Sequence, residues 1–339
     1  MGLTETVCVT GASGFIGSWV VRLLLERGYT VHGTVQNLEN WKETQHLEAM
    51  EGAKERLKLF QMDLMDYQSI EAAINGCAGV FHLAMPNTIE AVQDPEKQLM
   101  DPGIKGTLNV LEAAHKAKVK RLVLTSSVSA FVPNPKWPAD TPLDETSWTD
   151  IDYCKQNGIW YPVAKTLAEK VAWEFSKEKG LDVVAINPGT ALGPFLPPDF
   201  NASLAMIVRL VNGNTEEYRN FYMGCVDVRD IAKAQVLLYE TPSASGRHLC
   251  VESITHWSDF AELTAKLYPE YNVPKFTNVT QPAFYAKCSD CRFTNVTQPG
   301  LVRVKNAPKK LIDLGVEFAP MEQIIIDSVS SLQDKGFLK

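Results

Sequence analysis

A chain of 339 residues with 45% apolar and 22% charged side chains has the composition of a globular protein with a sizeable core. Its net charge of −7 argues against a nucleic-acid or anionic-membrane partner, since both reward a basic face. No apolar run approaches the roughly 20 residues of a membrane span.

In chain order, short β-branched runs alternate with longer helical patterns. Val7–Thr10 reads as a strand and Phe15–Arg27 as a helix with Ile16, Val20, Leu23 and Leu24 on one face. Strands follow at Thr30–Val35, Leu57–Gln61 and Val80–Ala84. A helix over Leu108–Ala117 precedes a strand at Leu122–Ser126, and a helix over Leu167–Lys179 precedes a strand at Val183–Asn187. This alternation predicts an α/β fold, a Rossmann-type doubly wound parallel sheet whose ligand crevice lies at the carboxyl ends of the strands. The rhythm weakens after Pro188. Residues 1–187 therefore read as a dinucleotide-binding domain with the catalytic helix, and 188–339 as a smaller substrate-binding segment that contributes back to the core sheet.

Seven cysteines at irregular spacing read as reduced thiols, and a strand starting almost at once reads against a signal peptide, so a cytoplasmic protein is expected. The N-x-S/T triplets at Asn201, Asn278 and Asn295 are then chance occurrences.

Between the first strand and helix lie Gly11, Gly14 and Gly17, spaced GxxGxxG. Gly11 supplies a tight turn, Gly14 lets the backbone approach a ligand, and Gly17 permits close packing of the helix on the strand. The N–H groups at the helix start favour a pyrophosphate. The end of the second strand chooses the dinucleotide: an acidic residue there meets a ribose 2′-hydroxyl, a basic one a 2′-phosphate. Gln36 stands at that place, no carboxylate follows it directly, and Lys42 is within reach if the loop folds back. NADPH is the expected cofactor. Asp63, with Leu64, follows the third strand towards the adenine edge.

The chemistry is carried by "NGIWYPVAKTLAEK". Tyr161 and Lys165 are four apart and share a helix face, and Pro162 suits a first helical turn. A helix N-terminus and a nearby ammonium both favour the phenolate, which predicts a Tyr161 pKa lowered towards neutrality. In "LVLTSSVSAF", Ser126 or Ser127 emerges at the end of the fifth strand to hold a substrate oxygen.

The stretches "VTGASGFIGSWVVRLLLERGY", "LTSSVSA", "YPVAKTLAEK" and "INPGTALGP" resemble the extended short-chain dehydrogenase/reductases, and within them the plant cinnamoyl-CoA reductase and dihydroflavonol 4-reductase group. The resemblance spans almost the whole chain. It implies a catalytic Ser127, Tyr161 and Lys165. It also implies a cofactor loop at Gly11, Ser13, Gly14, Phe15, Ile16 and Gly17, a turn after the fourth strand at Leu83, Ala84 and Met85, and a nicotinamide-side segment at Pro188, Gly189 and Thr190. Three departures stand out: Gln36 replaces the family's usual Arg, Met85 replaces a hydroxyl, and no cysteine separates Trp160 from Tyr161. The last makes the site more similar to the plant aldehyde reductases, such as phenylacetaldehyde reductases catalogued as cinnamyl alcohol dehydrogenase-like. The resemblance thus implies reduction of an aromatic or arylalkyl aldehyde, with an acyl-CoA thioester as the alternative and a dihydroflavonol ketone behind it.

Met85, Val128, Phe131, Phe221 and Tyr222 are the expected substrate contacts, since aromatic and Met side chains suit a flat apolar ligand. Asp227, Arg229 and Asp230 read as helix-capping residues. No histidine spacing fits a metal, and a monomer or weak dimer is expected. The heptapeptide "FTNVTQP" occurs at Phe276–Pro282 and again at Phe293–Pro299, with Cys288 and Cys291 between the copies. It reads as a local duplication enlarging a surface loop.

Overall fold

The computed structural model describes residues 5–86, 92–138, 141, 143–213, 222–273 and 309–339. The duplicated heptapeptide, its two cysteines, Asn278, Asn295 and Phe221 lie outside them. In chain order the elements are β1 (Thr6–Thr10), α1 (Phe15–Glu26), β2 (Thr30–Val35), α2 (Trp41–Glu48), α3 (Ala53–Arg56), β3 (Leu57–Gln61), α4 (Tyr67–Ile74) and β4 (Gly79–His82). Then come α5 (Asp101–Lys116), β5 (Arg121–Thr125), α6 (Ile151–Gln156), α7 (Trp160–Lys179), β6 (Val183–Pro188), β7 (Thr190–Leu192) and α8 (Ala202–Val211). The chain closes with β8 (Tyr222–Asp227), α9 (Val228–Glu240), β9 (Gly246–Cys250), β10 (Ser253–His256), α10 (Trp257–Leu267), α11 (Lys309–Asp313) and α12 (Met321–Asp334).

Seven strands form one sheet in the order β3-β2-β1-β4-β5-β6-β9, and every neighbouring pair in it is parallel. Strands covered on both faces must be apolar throughout, and β4, β5 and β6 are buried at every residue. One face is packed by α1 and α9 through Val20, Leu24 and Ile231, while α12 packs Ile325 over β7 and β8. The other is packed by α4, α5 and α7 through Ile70, Leu111 and Phe175. The strand order reverses between β1 and β4, which opens the crevice at their carboxyl ends. This is the Rossmann-type doubly wound fold.

The chain after Pro188 makes a second, three-stranded sheet in the order β10-β8-β7 beside that crevice. Its β9 returns to the main sheet, where Gly246–Cys250 runs parallel to β6. The segment is therefore laced into the first core rather than hinged beside it.

Local departures from the sequence reading have physical causes. Helix α5 begins at Asp101 rather than Leu108. Gly103 and Gly106 hid its first turns, because glycine disfavours helix. Their bare surfaces accept Met85 and Leu64: a Cβ on either would lie 2.8 Å from those side chains. Asn201 caps α8 by accepting from the Leu204 N–H, and Asp227 caps α9 by accepting from Arg229.

Candidate active site

The glycine loop is a cradle that side chains would fill. Gly11 turns the chain at φ +70°, a left-handed conformation that suits glycine. A Cβ on Gly17 would sit 2.1 Å from the Gly11 carbonyl oxygen, so the close approach is between helix and loop rather than helix and strand. Gly14 is the N-cap of α1 and offers no side chain to its N–H groups. The first-turn donors of Phe15 and Ile16, beside Ser13, lack the acceptor that a Ser or Asp cap supplies. This bare, donor-rich loop fits a dinucleotide pyrophosphate. Across the crevice the loop after β4 is tied to it: Leu83 and Ala84 each donate to Thr10 Oγ1 at 3.0 Å. His82 bridges Thr10 at 2.8 Å and Thr107 at 3.2 Å, and burial, with the charge of Lys165, pushes its pKa down to about 3.

At the carboxyl end of β5 the two serines part company. Ser126 is buried and donates to Glu169 Oε2 at 2.6 Å. Ser127 caps a short 3-10 turn, accepts from the Ser129 N–H at 3.1 Å, and faces the Tyr161 phenol. Tyr161 is the second residue of α7, with Pro162 behind it in the first turn. Lys165, one turn on, is buried, lies 5.9 Å from the Tyr161 ring centre and donates to the Thr125 carbonyl at 3.2 Å.

The phenol is not lowered as the sequence led us to expect. Burial pushes Tyr161 up to about 12, against a downward pull from Ser127. Burial likewise lowers Lys165 to about 8, partly offset by the charge of Glu169. Desolvation of a charged form outweighs one helix terminus and an ammonium turned towards a carbonyl.

Behind these groups lies a network that the sequence reading missed. Glu169 has no exposed surface and accepts from Ser126, from Asn187 Nδ2 at 2.8 Å, from Trp173 Nε1 at 3.2 Å and from Arg247 Nε at 2.6 Å. Arg247, on β9, is held between the rings of Phe131 and Trp148, each 3.8 Å from its guanidinium carbon. A signal was present: Glu169 lies one turn beyond Lys165, an acid on the buried face of the same helix.

The remaining expected residues scatter in role. Met85 packs with Leu99, Val163 and Tyr161 at the crevice wall. Val128 and Tyr222 are partly buried on the other side, in a cluster with Leu249 and Ile254. Phe131 is corrected: it is fully buried beneath Arg247 and presents no free face to a ligand. Leu64 packs on α5, and its carbonyl accepts from Asn109 at 2.9 Å. Asp63 accepts from the Met65 N–H at 2.8 Å within its own turn. Pro188 ends β6, Gly189 fits where a Cβ would lie 2.2 Å from the Gly224 oxygen, and Thr190 starts β7. Gln36 is exposed at the end of β2, but Lys42 does not fold back alone to it; its ammonium pairs with Asp199 at 2.8 Å.

A doubly wound sheet with a glycine cradle at its switch point and a Ser, Tyr, Lys cluster on the same crevice defines a nicotinamide-dependent oxidoreductase of the short-chain dehydrogenase/reductase class. Residues 7–251 match the model of the NAD dependent epimerase/dehydratase family, and the chain belongs to that family. It is 48% identical over 98% of its length, and 94% of the relative's, to "Cinnamoyl-CoA reductase 1" of Petunia hybrida. It is 37% identical to "Tetraketide alpha-pyrone reductase 1" of Arabidopsis thaliana, covering 98% of this chain and 96% of that one. Among solved structures it is similar to vestitone reductase from alfalfa (Medicago sativa), with a TM-score of 0.80, 32% identity, and coverage of 99% of this chain and 100% of that one.

Proposed function

We propose that this chain is an NADPH-dependent reductase of aromatic or arylalkyl aldehydes, giving the corresponding alcohols. One observation carries the reading: Tyr161, Lys165 and Ser127 converge at the carboxyl end of β5, across the crevice from the glycine cradle. A nicotinamide held there would supply hydride to the carbonyl carbon. Ser127 holds the carbonyl oxygen and Tyr161 gives that oxygen its phenolic proton, so aldehyde, hydride and proton sum to an alcohol. A phenol raised to about 12 stays protonated at neutral pH, as an acid must. Lys165, as an ammonium, limits the cost of the phenolate left behind and holds the ribose. Gly11, Ser13, Gly14, Phe15, Ile16 and Gly17 hold the pyrophosphate. Gln36 would meet the adenosine ribose, with Lys42 only once drawn from Asp199; Asp63 and Leu64 would meet the adenine, and Leu83, Ala84 and Met85 would form the crevice wall. Pro188, Gly189 and Thr190 flank the nicotinamide. Met85, Val128 and Tyr222 would give the substrate an apolar wall.

A second reading is reduction of an acyl-CoA thioester, in which the C–S bond breaks and the thiol of CoA leaves. It is favoured by the 48% identity to a protein named cinnamoyl-CoA reductase. A panel of aryl aldehydes, a dihydroflavonol and a hydroxycinnamoyl-CoA thioester, each with NADPH, separates the two. Faster turnover of the aldehydes supports the first reading; thioester turnover at matching rates moves the assignment to the second. Turnover of none of them sinks both.

A further inference from the structure

The end of β2 is where a nucleotide-binding sheet distinguishes a ribose hydroxyl from a ribose phosphate. In this chain that place is occupied by a carboxylate from elsewhere in the sequence. Glu43, in the first turn of α2, accepts from the Gln36 N–H at 2.7 Å and the Asn37 N–H at 3.4 Å through Oε2. Its Oε1 accepts from Asn40 Nδ2 at 3.0 Å. A capping glutamate three residues into a helix reaches back to the N–H of the capping residue. Here the cap is Asn40, whose own N–H goes to the Asn37 carbonyl at 3.2 Å, and Glu43 reaches past it to the strand end. Lys42, which the sequence offers to a phosphate there, is held by Asp199 at 2.8 Å.

We propose that Glu43 and Asp199 set the nucleotide preference of this chain: Glu43 takes the paired N–H groups a ribose 2′-phosphate would use, Asp199 takes the lysine, and NADH is accepted nearly as well as NADPH. The inference rests on the dinucleotide reading above. A 2′-phosphate entering this place meets a like charge on Glu43 and must draw Lys42 from Asp199. A 2′-hydroxyl meets a carboxylate able to accept its hydrogen bond. Gln36 offers a neutral amide in either case.

The test is titration of the intact protein with NADPH and with NADH, read by quenching of intrinsic tryptophan fluorescence, for the wild type, Glu43→Gln and Asp199→Asn. The expected wild-type dissociation constants lie within about tenfold of each other. Glu43→Gln tightens NADPH by about tenfold and leaves NADH unchanged or weaker, as expected for removing one like charge near the phosphate. Asp199→Asn, on an exposed loop, tightens NADPH in the same direction by freeing Lys42. The proposal is overturned if the wild type prefers NADPH by about a hundredfold or more, or if neither variant changes the ratio of the two constants. It is also overturned if Glu43→Gln weakens both nucleotides equally, the behaviour of a helix cap alone. Absence of binding by either nucleotide to the wild type would instead remove the dinucleotide reading on which the proposal stands.

Discussion

Arg247 Nε and Glu169 Oε1 meet 2.6 Å apart in the interior, joining β9 to the helix that carries Tyr161 and Lys165. The rest of the guanidinium is spent on main-chain carbonyls of Ala130, Glu145 and Ser147, and the rest of the carboxylate on Ser126, Asn187 and Trp173. The pair thus fixes the strand end that presents Ser127, since Glu169 holds Ser126 directly.

Removing one partner of a buried pair leaves the other charge uncompensated, which costs about 3–5 kcal/mol. Glu169→Gln is expected to lower unfolding free energy by that amount in a urea titration. The double variant Glu169→Gln with Arg247→Met is expected to recover most of it, because no lone charge remains. A double variant no more stable than the single one would show that the pair's charges are not the issue.

Tyr161→Phe removes the acid and little else. Turnover is expected to fall by about 10²–10⁴-fold, the usual contribution of a positioned proton donor. The nucleotide dissociation constant should stay unchanged. Wild-type turnover in this variant would end the acid assignment.

Lys165 carries a pH signature. Its pKa falls from 10.5 to about 8 on folding, so the unfolded chain binds the extra proton between those values. Its contribution to stability is therefore unfavourable below pH 8 and is relieved as pH rises from about 8 to 10.5, by about 3 kcal/mol in full. Lys165→Met should be more stable than the wild type at pH 7, with the difference shrinking between pH 8 and 10. Parallel stability curves for the two proteins over that range would refute the burial of a charged amine.

Gly17→Ala tests the cradle. Its Cβ would press on the Gly11 backbone oxygen at 2.1 Å, where no side chain can move aside. An overpacked position of this kind costs about 1–3 kcal/mol. Both the thermal midpoint and nucleotide affinity are expected to drop; an unchanged dissociation constant would mean that the loop does not hold the nucleotide.

Most of the scaffold was legible from local pattern. Apolar runs such as "VCVT" and "VVAIN" are strands because they are buried on both faces, and Gly11, Gly14 and Gly17 announce a backbone contact whatever surrounds them. The i, i+4 spacing of Tyr161 and Lys165 likewise puts them on one helix face by geometry alone. Strand limits came within a residue or two because burial begins and ends with the sheet.

What the sequence could not state were relations between distant residues. Ser126 and Ser127 are equivalent as text, and only the position of Glu169, 43 residues later, ties up the first and leaves the second at the phenol. Phe131 looked like a pocket aromatic until Arg247, from a strand 116 positions away, closed over it. Lys42 looked free until Asp199, 157 positions along the chain, paired with it. Tyr161 looked acidified by its helix until burial was counted. Local spacing decides which face a side chain shares, because backbone geometry is short-ranged. Charge, exposure and partner choice are settled by what the folded chain brings alongside, because desolvation and hydrogen bonding act between atoms in contact regardless of their order along the chain.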